Sequence, residues 1–117
     1  SKNQEILDKY NTIKKKFQNK RLELIKKDFD AKKSNDPKLI AKLENDYKKL
    51  IKREVLFTTN FAISNADSEV APYLGLTEMY DASLKMLDTI NNSLSDKVKS
   101  SDYGKRFQEY LDKIKTE

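Results

Sequence analysis

The side chains here that could do chemistry are carboxylates, lysines and tyrosine hydroxyls, because the 117 residues include no Cys and no His. That inventory removes thiol nucleophiles, imidazole acid–base catalysis and the commonest zinc ligands together. A glycosidase-like acid pair would need two carboxylates converging on a concave site. Asp28 and Asp30 fall on different faces of a helix, and most other acids find a base one turn on. Glu5 is placed to pair with Lys9, Asp28 with Lys32 and Glu44 with Lys48. Helix-surface ion pairing is the expected role of all of them. No Asp-rich loop with a tight-turn glycine is present to hold a metal, and two glycines are too few for a phosphate-cradling loop. No catalytic, metal-binding or cofactor-binding residue is predicted, and no enzyme activity is expected of this segment alone.

The basic residues invite a second chemistry, the gripping of phosphates. Lys14-Lys15-Lys16, with Lys20 and Arg21 nearby, is the densest cluster. Successive helical residues turn by about 100°, so three adjacent lysines spread around the helix and form no single patch. Solvated helix faces are the expectation, and nucleic acid is not expected as a partner. The six tyrosines could stack on bases or sugars. All but Tyr110 sit on apolar stripes, where core packing with the hydroxyl at the rim is the simpler role.

The elements that must position these groups are legible from spacing. Ile6, Tyr10, Ile13, Phe17, Leu24, Ile25 and Phe29 fall at steps of three and four over Lys2 to Lys33, as a packed helix requires. Lys20 and Arg21 interrupt that stripe, though their methylene stems can lie along the seam. Ser34-Asn35-Asp36-Pro37 then breaks the pattern. Asp36 suits an N-cap and Pro37 a first helical position, where its missing N–H would be unpaired anyway. A second helix is predicted over Pro37 to Ser64, with Ile40, Leu43, Tyr47, Leu50, Ile51, Phe57 and Phe61 along one side. A short turn between long amphipathic helices makes them antiparallel neighbours.

Beyond Asn65-Ala66-Asp67-Ser68, Ser68 is placed to cap a third helix containing Pro72, and Asp81 to cap a fourth carrying Leu84, Leu87, Ile90 and Leu94. Ser95 to Ser101 reads as one helical turn and a connection. A last helix opens near Asp102, with Tyr103, Phe107, Leu111 and Ile114 on one face. Gly104 in its first turn points to close approach of another backbone. The class is all-α: a long antiparallel helical hairpin over 1–64 and about three shorter helices over 65–117, one domain in all.

Charge divides along the same line. Residues 1–57 carry 17 Lys/Arg against 9 Asp/Glu, and residues 58–117 carry 7 against 10. Interleaved acids favour a solvated surface over an anionic partner. No stretch approaches a membrane span, and no signal-peptide pattern opens the chain at Ser1. A cytoplasmic protein or a mature fragment would both fit.

Two stretches resemble a known family. They are Asn65-Ala66-Asp67-Ser68-Glu69-Val70-Ala71-Pro72-Tyr73-Leu74 and Leu87-Asp88-Thr89-Ile90-Asn91-Asn92-Ser93-Leu94-Ser95-Asp96-Lys97-Val98-Lys99-Ser100-Ser101-Asp102-Tyr103-Gly104-Lys105. Both are similar to the helical region of Bacteroidetes envelope proteins that join a DUF4369-type β-rich domain to a thioredoxin-like (AhpC/TSA or TlpA-type) domain. The resemblance covers roughly residues 55–115, and the long basic hairpin is only loosely matched. It implies a piece of a larger periplasmic or cell-envelope protein, with the redox Cys-x-x-Cys beyond Glu117. The implied role is a non-catalytic spacer or dimerisation domain, whose partner is the attached thioredoxin-like domain, another protein, or a second copy in a homodimer. Tyr10, Ile13, Phe17 and Leu24 are the residues expected to make partner contacts.

Overall fold

Helix starts are set by short polar side chains that accept a hydrogen bond from the otherwise unpaired N–H groups of the first turn. The computed structural model describes all 117 residues, Ser1–Glu117, in six helices with no strand. They are α1 (Lys2–Lys33), α2 (Pro37–Ser64), α3 (Val70–Thr77), α4 (Leu84–Ser93), α5 (Asp96–Lys99) and α6 (Asp102–Thr116). Ser1, Asp36, Ser83, Ser95 and Ser101 each cap a helix through the side-chain oxygen. The expected cap at Asp81 is therefore corrected to Ser83, whose Oγ accepts from the Met86 N–H at 3.2 Å. Ser68 meets its expected role in altered form. Its Oγ accepts from the Val70 N–H at 3.1 Å and donates to Asn3 Oδ1 at 2.8 Å, so the third helix is tied to the start of the first.

The turn between α1 and α2 ends one helix and starts the next within three residues. Asn35 has a left-handed φ of 50°. The Asn35 N–H bonds to Lys32 O and the Asp36 N–H to Ala31 O, both at 3.2 Å. This pair of backward bonds is a Schellman closure, with asparagine at the position where glycine is commonest. Asp36 then caps Leu39, and Pro37 takes the first helical position. The chain reverses, and α1 and α2 pack along their lengths as a hairpin.

The core lies at one end of this hairpin. Tyr10, Val55 and Ala62 from the hairpin meet Val70, Ala71, Leu74, Leu87, Ile90, Leu94, Val98, Phe107 and Leu111 from the shorter helices. α3 packs on α2 and α6, and α4 bridges α2 and α6. Polar links lock this end: Asn91 donates to Gln108 at 2.8 Å, Lys115 pairs with Asp88 at 2.8 Å, and the Ser95 N–H reaches Ala66 O at 3.1 Å. The molecule is 55 Å long, 36 Å wide and 16 Å thick, because the far half of the hairpin projects beyond the bundle.

Both glycines mark close approaches. A Cβ on Gly75 would lie 2.6 Å from the Phe107 ring, which is completely buried. Gly75→Ala is expected to lower stability by about 1–3 kcal/mol through overpacking. Adding Phe107→Leu should recover part of that loss, as read by urea denaturation of the single and double variants.

Candidate functional site

The residues expected to make partner contacts are distributed by the hairpin in a different way. Tyr10 is 1% exposed, so its assignment as a partner contact is corrected. Its ring stacks on Phe57 at 6.0 Å and tilts against Phe61 at 5.5 Å. Its hydroxyl shares a buried hydrogen bond of 3.0 Å with Thr58 Oγ1. Burial pushes the Tyr10 hydroxyl up to about 12, and the Thr58 bond pulls the other way. Phe17 is half-buried against Phe57 at 5.8 Å. Leu24 is half-buried in the seam, reaching both grooves of the hairpin, and Ile13 is half-buried on the same helix. These four serve mainly the contact between α1 and α2, the role that their stripe predicts equally well.

Tyr80 departs from the expected pattern in the opposite sense. It lies in the link between α3 and α4 and is 91% exposed. The helical stripe that seemed to include it ends at Thr77. Tyr73 and Tyr103 instead form an edge-on pair at 5.3 Å.

Sequence spacing missed a charged cluster where hairpin and bundle meet. Lys14 reaches Glu78 at 2.7 Å, and Arg21 pairs with Glu54 across the hairpin seam. Arg21 and Glu54 are 33 residues apart, so no local pattern could have joined them. Both pairs are partly sheltered. Burial pushes the Glu54 carboxyl above its ordinary range, Arg21 pulls it back, and Glu78 adds to the push. The interruption of the apolar stripe at Arg21 was the available signal. Of the expected one-turn ion pairs, Asp28–Lys32 forms at 2.8 Å, while Glu5 and Glu44 make none.

The projecting half of the hairpin has two unlike grooves. One is lined by Lys20, Lys27, Lys49 and Arg53 with Glu23, Asp46, Leu24 and Leu50. The other is lined by Leu24, Ile25, Leu43 and Tyr47 with Asp28, Glu44, Lys32 and Lys48. The helical turn that splays adjacent lysines also brings residues seven apart, such as Lys20 and Lys27, onto one side. No set of three or more carboxylates is gathered to hold a metal ion. No helix is long and apolar enough to cross a membrane. No protein-family model, curated protein or solved structure matches the chain.

Proposed function

We propose that this chain is a helical spacer or dimerisation domain of a periplasmic thiol–disulfide oxidoreductase, whose thioredoxin-like domain carries the chemistry outside these residues. The observation behind the reading is the division of labour within the fold. The segments that resemble the thioredoxin-family helical region, Asn65–Leu74 and Leu87–Lys105, build the compact end. The hairpin extends from that end as a long arm. A rigid body of this shape suits holding two larger domains apart or joining two chains. In this reading the arm itself catalyses nothing, and the envelope is its location. Sequencing the coding DNA on both sides of the segment tests it. A Cys-x-x-Cys within a strand–helix pattern downstream of Glu117 is the expected result; a stop codon directly after Glu117 would overturn it.

A second reading has one observation in its favour, the groove where Lys20, Lys27, Lys49 and Arg53 outnumber Glu23 and Asp46. In that reading the chain is a basic helical module that binds nucleic acid or an anionic membrane. Such binding would weaken steeply with salt, because each phosphate contact releases a counterion. The spacer reading requires no such affinity. Titrating a labelled oligonucleotide or anionic vesicles at low and high salt separates the two.

A further inference from the structure

Leu22, Ile25 and Phe29 stand 65%, 52% and 57% exposed on α1, although every second turn of that helix otherwise hides its apolar groups. Their steps of three and four place them on one face. It is the face that the bundle covers nearer the start of the same helix. Leu7 lies five turns before Ile25 and packs against the core beside Val70 and Tyr73. Lys14, about three turns before Ile25, reaches Glu78. On α2, Tyr47 and Ile51 lie about three and two turns before the fully buried Thr58. α3 and the link that follows it therefore cover the near half of a continuous face, and no part of this chain covers the far half.

Charge narrows what could cover it. The groove on this face sets Asp28 and Glu44 against Lys32 and Lys48, so its ionised groups balance. The opposite groove carries the cationic excess. A strongly acidic or basic partner would find no complement on the balanced face. The step that ends the covered half carries Glu78 and Asp81 around the exposed Tyr80. The hairpin tip carries Lys32 and Lys33, the latter with its ammonium 4.4 Å from the Phe29 ring. An acidic step at one end and a basic tip at the other make the surface complementary to itself when reversed.

We propose that this face docks the same face of a second copy of the chain, antiparallel about a two-fold axis near Ile25. The projecting halves of two hairpins then close into a four-helix bundle, the usual way for paired hairpins to bury their remaining stripe. Two-fold docking is isologous, so residues equally far from the axis meet. Phe29 of one copy lies over Leu22 of the other, and each tip reaches the other's step. The free stretch from about Gln18 to Lys33 spans roughly 24 Å at 1.5 Å per residue, the length two such arms share. The inference rests on the dimerisation half of the function proposed above and not on the attached redox domain.

The chain has no cysteine, so single cysteines report contacts cleanly. Ile25→Cys is expected to give a disulfide-linked dimer on mild oxidation. Lys16→Cys, on the other side of α1, is expected to stay unlinked. In sedimentation velocity the unaltered chain should run as a dimer. Phe29→Glu should run as a monomer with unchanged helical circular dichroism, since the side chain it replaces is exposed. An unaltered chain that stays monomeric at about 1 mM, a Phe29→Glu variant that stays dimeric, or equal crosslinking at Lys16→Cys would each overturn the proposal. A monomer would leave the spacer reading standing, and a missing redox domain would leave the dimer standing.

Discussion

Gly104→Ala is expected to destabilise the chain by about 3 kcal/mol, at the upper end of overpacking effects, against the trend for that substitution in a helix. Alanine ordinarily gains about 1 kcal/mol over glycine in a helix interior. Here the added methyl would fall inside the Val98 carbonyl oxygen and 2.9 Å from Lys99 Cα and Lys99 O. Those are backbone atoms of α5 and its exit, and a side-chain rotation cannot relieve the clash. The same Val98 oxygen accepts from the Ser101 hydroxyl at 2.5 Å, and that hydroxyl also caps the Gly104 N–H at 3.2 Å. Moving α6 away would loosen the cap, and with it the seat of Phe107 and Leu111 in the core. Denaturant unfolding with an unchanged slope would measure the loss as a shift in midpoint. A variant as stable as the parent would show that the α5–α6 corner yields, and would remove the packing reason for glycine there.

Tyr10→Ala is expected to lower stability by about 3–5 kcal/mol, the range for emptying a buried aromatic site. The ring is the largest fully buried side chain of the hairpin and touches Phe57 and Phe61. Tyr10→Phe separates the hydroxyl from the ring. It should lose about 1–2 kcal/mol, because Thr58 would keep a buried hydroxyl with its partner gone. A pH test follows from the same environment. Burial raises the folded-state value of Tyr10 from 10.0 to about 12, so the folded state holds its proton where the unfolded state has released it. The stabilisation is fully present below pH 10 and is lost as pH rises through 12. At about 1.4 kcal/mol per unit, the window is worth roughly 2–3 kcal/mol. Lysines also titrate there, so the informative quantity is the difference between the parent and Tyr10→Phe. The parent should lose stability faster across the window, and one of its six tyrosines should ionise last in the tyrosinate absorbance. Equal slopes, or six tyrosines titrating together, would place Tyr10 in contact with water.

Helix positions were readable in the sequence because their determinants are local. The steps of three and four that define α1, the Asp36-Pro37 start of α2 and the Ser101 cap of α6 each involve residues within a turn of one another. Gly104 was readable for the same reason, since only a close backbone explains glycine at that position. The errors fall where a local pattern ran past its structural end. Tyr80 continued an apolar spacing that stopped at Thr77, and Asp81 resembled a cap two residues before Ser83 supplied one.

The sequence by itself determined an all-α chain with a long hairpin, its turn, most of its caps and the division of charge between its halves. Only the tertiary structure decided which side of each helix is covered. Helical period says which residues share a face but carries no information about what lies against that face. That is why Tyr10 is enclosed while Phe29, four turns and more along the same stripe, stands in solvent. It is also why Arg21 finds Glu54, and why lysines splayed along one helix regroup beside those of the next. Each of these depends on where α2 and α3 come to rest, which is settled by packing between residues far apart in the chain.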